Sequence, residues 1–442
     1  MKNQGKEITP SLLERFEKEL KDDKSTKIIG RTIAKNGFLA SSEDTNASSR
    51  NNMTFSIEVS AGKATNQRQS GRCWLFAALN VLRQEFATKY NFKDFELSQN
   101  YNFFWDRLGR ANLFLQRIVR TANEDLEDRH VQAYLSYAMD DGGEWDNAAA
   151  VIEKYGVVPN YVMPDTYNTK NTHEFDEINA SLQRKYALEL RKMVQDGKSD
   201  EEVEARRQEM LSDIYRLCVL AFGKPPKEFN LEFKDDKGNY QQFLGLKPKE
   251  FLDKYFDTNL DDFVELVDYP DHEYNHVYWN EMQDNVAGGY QTEYVNVDFK
   301  YLQQAIIDQL KDGHIVWFGC DVGTDSDARK RGWLDDKLYR QSELIDLDFE
   351  MDKRDRLATR QGSASHCMAI TGVNLVDGQP DRWKIENSWG EKVGEAGYMT
   401  MTQSWFEKYC FQVVANKKYL PKEVLDVLET KPIKVEPWDT LF

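Results

Sequence analysis

The 442-residue sequence has few cysteines, no long apolar run and less positive than negative charge. Its five cysteines are scattered without a CxxC pair or zinc-ligand spacing, which is typical of free thiols in a reducing cytoplasm. No apolar stretch reaches 18 residues, and the N-terminal residues lead into a polar helix, so neither a membrane span nor a secretory signal is predicted. The net charge of −17 argues against nucleic-acid binding.

The sequence also lacks a Gly-rich phosphate loop and a dinucleotide-binding fingerprint, so no cofactor is predicted. His272 and His276 are four residues apart but are not part of a His-Glu-x-x-His pattern, and no metal site is predicted there. With 442 residues, 40% of them hydrophobic, the chain is long enough for two or three lobes with substantial cores.

The most informative position is Cys73, where a polar loop ends and an apolar helix begins. Only a thiolate is nucleophilic, and the N-terminal end of a helix stabilises negative charge. A lone cysteine in an apolar helix is more often a packing residue than a nucleophile. The catalytic interpretation therefore depends on what accompanies Cys73 elsewhere in the chain.

Three further residues complete a possible acyl-transfer site. Gln67, six residues before Cys73, is an amide donor for a developing oxyanion. His366 precedes an apolar strand and is the candidate base, and Asn387 is the candidate orienting residue. Together with Cys73, these residues describe a cysteine enzyme. Trp389 is predicted to shield the bond between His366 and Asn387 from water.

Four segments resemble the papain-like cysteine peptidases in the same order along the chain. Gln67 to Phe76 resembles the nucleophile segment, and Asp141-Gly142-Gly143 resembles the substrate-cleft segment. His366 to Val373 resembles the histidine strand, and Asn387-Ser388-Trp389-Gly390 resembles the asparagine segment. The resemblance implies an α+β papain-like fold, in which a helical lobe and an antiparallel β-barrel-like lobe meet with Cys73 against His366.

Two departures resemble the intracellular bleomycin hydrolase and bacterial aminopeptidase C branch of that family. The position before Gly71 is Ser70, where papain itself has a cysteine, so the usual local disulfide is missing. The spacing of 293 positions from Cys73 to His366 exceeds the interval of about 130–150 in secreted relatives, so roughly half of it is insertion. This branch implies peptide substrates, a cytoplasmic location and assembly into homohexamers.

The chain is predicted to divide into three parts. Residues 1–165 hold an N-terminal extension and the helical catalytic lobe, 166–290 a mainly helical insertion, and 291–442 the β-rich lobe. Apolar residues at three- and four-residue steps predict a helical hairpin over about 174–222. The hairpin either packs within the chain or serves as an oligomerisation arm, and both uses leave the same pattern.

The substrate class depends on the C-terminal tail. In the aminopeptidase C branch the terminal carboxylate meets the substrate α-amine, so Phe442 is the candidate α-amine partner and Gly143 a candidate backbone contact. The tail here is a few residues shorter than is typical. An aminopeptidase is favoured, and the alternatives are an endopeptidase with an open cleft, a non-peptide amidase or acyl transferase, and a non-catalytic scaffold.

Overall fold

A computed structural model describes residues 5–20 and 23–441. Within them, seventeen α-helices form: α1 Pro10–Glu19, α2 Lys24–Asn36, α3 Phe38–Ser42, α4 Ala47–Arg50, α5 Cys73–Tyr90, α6 Gln99–Arg120, α7 Arg129–Ser136, α8 Trp145–Tyr155, α9 Tyr167–Lys170, α10 His173–Gln195, α11 Asp200–Phe222, α12 Pro248–Tyr255, α13 Phe299–Lys311, α14 Gln341–Ile345, α15 Lys353–Ala358, α16 Gln403–Tyr409 and α17 Lys422–Leu428.

The same residues form fourteen strands: β1 Ile57–Glu58, β2 Phe229–Lys234, β3 Tyr240–Leu246, β4 Phe263–Val267, β5 His276–Trp279, β6 Glu293–Asn296, β7 Val316–Cys320, β8 Ser326–Asp327, β9 Trp333–Leu334, β10 His366–Val376, β11 Gln379–Glu386, β12 Tyr398–Thr402, β13 Cys410–Asn416 and β14 Ile433–Lys434. The large sheet runs in the order β14-β5-β6-β4-β13-β7-β10-β11-β12-β9-β8, with β1 on β10. Its central pairs are antiparallel. The predicted α+β class is confirmed.

Helix α5 lies between the two halves of the molecule. Twelve of its eighteen residues are buried, because apolar side chains occur nearly all round it. One side packs with α6 and α8 in the helical core, and the other faces the sheet. The Trp317 indole on β7 donates a 3.1 Å hydrogen bond to the carbonyl of Trp74, which fixes the start of α5 against the sheet.

The predicted helical hairpin is confirmed as α10 and α11. A capping box between Ser199 and Glu202 begins α11. Both helices bury apolar residues in the helical core that also contains α6, so most of the stripe packs within the chain. Ile178, Leu188 and Leu220 nevertheless remain exposed on the hairpin.

The predicted division at residues 165 and 290 stays a prediction. Residues 166–290 contribute two strands, β4 and β5, to the large sheet. Strands β2 and β3 of the same range form a separate two-stranded sheet. These strands are four to seven residues long and lie between helical segments, which is why helical periodicity dominates the pattern there.

None of the described helices is long and apolar enough to span a bilayer.

Candidate active site

Cys73 is the first residue of α5 and opens onto a cavity of about 790 Å³ between the two lobes. Its backbone N–H is one of the first four of the helix, which have no acceptor within the helix. The cavity is lined by residues from both lobes, including four of the predicted site residues: Gln67, Gly143, His366 and Trp389. The fold therefore brings together segments that are nearly 300 residues apart.

His366 begins β10 and is held by the segment that follows β11. Its Nε2 lies 2.9 Å from Oδ1 of Asn387, and both side chains are buried. The Trp389 ring lies 4.9 Å from the imidazole, centroid to centroid, and its shielding of the bond to Asn387 stays a prediction. The guanidinium of Arg329 lies over the Trp389 ring, 4.5 Å from its centroid. Because Nε2 faces Asn387, Nδ1 is the nitrogen left for the thiol.

The pKa of the Cys73 thiol is held well below its usual value. The largest cause is a hydrogen bond from the thiol of Cys367, burial acts in the opposite direction, and the positive charge of His366 lowers the pKa further. Burial and the Cys73 charge raise the pKa of Cys367, so Cys367 keeps its proton and acts as the donor. Of the two thiols, Cys73 therefore has the lower pKa.

Cys367 is expected to influence the pH profile because it donates to Cys73. Replacing Cys367 by alanine removes the donor, so the acidic limb of the profile of kcat/KM should move to higher pH. Cys367→Ser keeps a hydroxyl donor and should move that limb less. The measurement is kcat/KM from pH 4 to 9 for both variants; identical limbs in wild type and Cys367→Ala would contradict this role.

Gln67 is held between the two lobes beside Cys73. Its Nε2 donates to the carbonyl of Ser70 at 2.6 Å, and its Oε1 accepts a 2.6 Å hydrogen bond from the hydroxyl of Ser388. These bonds fix which end of the amide is which. An amide nitrogen carries two protons, so one N–H remains for an oxyanion in the cavity.

Gly143 lines the cavity but also has a packing reason to be glycine. A Cβ there would lie 2.8 Å from the Trp74 ring and 2.9 Å from the Arg110 guanidinium. The neighbouring Asp141 accepts from the Gly71 N–H at 2.6 Å, and its carbonyl accepts from the Trp74 indole at 3.1 Å. This loop is thus anchored on both sides of Cys73, and its contact with substrate stays a prediction.

The tail is attached to the protein by several polar contacts, but Phe442 lies outside the described residues. The Nε2 of His272 lies 3.0 Å from Oδ1 of Asp439. Burial lowers the pKa of His272, but the Asp271 and Asp439 carboxylates outweigh it and raise this pKa to about 9. Leu441 is buried in an apolar cluster. His272 therefore has a structural partner in the tail, and the described residues contain no cluster of three or more potential metal ligands.

The alternation of side chains along a strand predicts that Cys367 is a buried residue turned away from His366. It is buried, at 6% exposure, and belongs to the helical core, whereas Met368 belongs to the sheet core. Sequence reasoning missed that this face also reaches Cys73. It missed Ser388 as well, although Ser388 lies inside the asparagine segment, because its contact with Gln67 joins the two lobes.

The chain is similar to known peptidases over nearly its whole length. A model of the peptidase C1-like family matches residues 7–442. Aminopeptidase W of Lactobacillus delbrueckii subsp. lactis is 46% identical over 436 residues, which are 99% of each chain. Aminopeptidase C of the same organism is 40% identical, covering 99% of this chain and 98% of the relative.

A solved structure is also similar to this chain in both fold and sequence. The crystal structure of PepW from Lactobacillus rhamnosis HN001 superposes with a TM-score of 0.96 at 42% identity, covering 98% of each chain. The match extends over both lobes and the residues between them. The protein described here thus belongs to the peptidase C1-like family and is a cysteine peptidase of papain-like fold.

Proposed function

We propose that the protein is an aminopeptidase that releases N-terminal residues from peptides through a thiolate at Cys73. The observation that carries the proposal is the convergence of Cys73, His366 and Gln67 on one cavity, with Asn387 hydrogen-bonded to His366. The names of the aminopeptidase relatives support the substrate class.

The chemistry follows from the position of each group. The Cys73 thiolate attacks the carbonyl carbon of the N-terminal residue, and the oxyanion accepts from the free N–H of Gln67 and the Cys73 amide. Imidazolium His366 gives its proton to the leaving amine, which leaves a thioester on Cys73. Neutral His366 then takes a proton from the attacking water, and the thioester is hydrolysed. Asn387 keeps the imidazole oriented throughout.

An endopeptidase is the second candidate, and the tail favours it. Among the described residues, Glu436–Leu441 contribute nothing to the lining of the Cys73 cavity. Leu441 packs in the same cluster as Ala364, which lines the cavity. The described part of the tail thus leaves room in the cavity for residues before the scissile bond.

A paired assay separates these two activities. One peptide is offered with a free N-terminus and, in parallel, with an acetylated N-terminus. For an aminopeptidase we expect cleavage of the free form only, one residue at a time, because the α-amine is part of what is recognised. Mass spectrometry of the products over time is the measurement. Internal cleavage of both forms would replace the aminopeptidase by the endopeptidase, and cleavage of neither would contradict both.

We further propose a cytoplasmic location and a homohexamer, as the resemblance implies. The exposed Ile178, Leu188 and Leu220 on the α10–α11 hairpin support a contact between chains there. Light scattering of the purified protein measures the assembly, and a mass equal to a single 51.6 kDa chain would contradict the hexamer.

A further inference from the structure

Two carboxylates without charged partners lie beside the catalytic cavity. Glu144 follows Gly143 directly and lines the cavity, although its side chain is largely buried. Its Oε1 accepts from the Gln283 amide at 3.2 Å, and its Oε2 has no hydrogen-bond partner. Glu265, on β4, is 1% exposed, and neither of its oxygens accepts a hydrogen bond of normal geometry.

These carboxylates are costly to leave in this state. A buried carboxylate oxygen without a donor loses its hydration with no hydrogen bond to compensate for it. Burial, followed by the nearby charge of Cys73, raises the pKa of Glu144 to about 8, and the amides of Gln412 and Gln283 only partly oppose this. Burial and the charge of Glu144 raise the pKa of Glu265 well above its usual range, although the Trp145 amide opposes the rise.

The proposed mechanism assigns no step to Glu144 or Glu265. The attack, the oxyanion and the proton transfers involve Cys73, Gln67 and His366 alone. The free oxygen of Glu144 belongs to a side chain that lines the cavity in which a substrate must lie. What fits there is a group with several N–H donors and a positive charge, since it satisfies the free acceptors and neutralises the charge.

We infer that Glu144, with Glu265 buried nearby, forms a carboxyl subsite that ionises when it binds a cationic nitrogen group of the peptide substrate. The inference rests on the proposed peptidase function and specifies what that function selects. Two parts of a peptide carry this chemistry. One is the α-ammonium of the residue whose carbonyl is attacked, and the other is a lysine or arginine side chain on the residue before it.

The α-ammonium is the source that agrees with an aminopeptidase. Gly143 offers backbone groups at the cavity wall, and Glu144 is the next residue, so a peptide lying along Gly143 brings its N-terminus near this carboxylate. An acetylated N-terminus has neither the charge nor the three donors. Binding there would therefore select free N-termini through a residue on the wall of the cleft.

The test compares kcat/KM for wild type and Glu144→Gln on two pairs of fluorogenic amides. The first pair is leucyl-coumarin amide and its N-acetyl form, and the second is acetyl-lysyl-leucyl- and acetyl-norleucyl-leucyl-coumarin amide. We expect wild type to prefer the cationic member of one pair, and Glu144→Gln to lower that preference by about 10- to 100-fold. The pair that responds identifies the source of the cation.

Two further variants make the result decisive. Glu153→Gln makes the same chemical change on the exposed side of α8, the helix that Glu144 precedes, and should leave both preferences intact. Glu265→Gln should weaken the same preference as Glu144→Gln, and it decides the question if Glu144→Gln lacks a cooperative thermal transition. Cleavage with both preferences unchanged in these two variants overturns the subsite alone. Absence of all cleavage by wild type overturns the peptidase function, and the subsite with it.

Discussion

Replacing Cys73 by alanine should lower peptide hydrolysis by about 10⁴-fold or more, because Cys367, the other thiol that lines the cavity, has a raised pKa and is a poor nucleophile. The fold should remain intact, since the substitution removes one sulfur atom from a side chain at the edge of the cavity. The measurement is kcat/KM on a free peptide, together with thermal unfolding of both proteins. Residual activity within tenfold of wild type would contradict the thiolate mechanism.

Cys218→Ala is the matched control for this prediction. Cys218 is a fully buried thiol within α11, and burial raises its pKa to about 12, so it is not nucleophilic at neutral pH. Its replacement should cost some stability and leave kcat/KM unchanged. Iodoacetamide should accordingly attach once to wild type and to Cys218→Ala at neutral pH, and not at all to Cys73→Ala.

The candidate catalytic residues could be proposed from the sequence because their motifs are local. Cys73 is recognised from the change from loop to apolar helix, and His366 and Asn387 from a strand start and a turn. Their spatial convergence could be expected only from the resemblance, since nothing in the spacing of 293 residues shows that β10 will lie against α5. In the structure Cys73 and His366 line one cavity, and Asn387 is hydrogen-bonded to His366.

The groups that sequence reasoning missed are those defined by contacts between distant segments. Glu144 occurs next to a recognised motif, but an acidic residue before a helix is usually a surface residue at the positive end of the helix dipole. Glu265 lies in β4, a short strand that the helical periodicity of the surrounding sequence hid. Whether a carboxylate oxygen finds a donor is decided by the packing of both lobes, so the pattern of residues could not reveal that one oxygen of Glu144 and both oxygens of Glu265 lack one.

A second large effect is expected where the two lobes are joined by a buried ion pair. Arg83, on α5, donates through Nη2 to Glu386, at the end of β11 and next to Asn387. The same nitrogen donates to the carbonyls of Ala61 at 3.0 Å and Lys63 at 2.8 Å. The ion pair therefore connects the nucleophile helix to the segment that orients the catalytic histidine.

Arg83→Met should lower the free energy of unfolding by about 3 to 5 kcal/mol near pH 9, because it leaves a buried carboxylate without its cation. Chemical denaturation measures this loss. The double variant Arg83→Met/Glu386→Leu should lose less than the sum of the two single variants, since it removes both charges. An additive result would mean that the two side chains stabilise the lobes independently.

The dependence on pH distinguishes a lost ion pair from lost packing. Burial raises the pKa of Glu386 to about 7 even though Arg83 lowers it, so this carboxyl makes the protein less stable as pH rises from about 4.5 to 7. Without Arg83 the pKa rises further, and the destabilisation continues above pH 7. The deficit of Arg83→Met relative to wild type should therefore be smaller at pH 6, where the folded carboxyl is largely protonated in both proteins, than at pH 9. An equal deficit at both pH values would show that the lost side-chain volume, rather than the charge of Glu386, is what destabilises the variant.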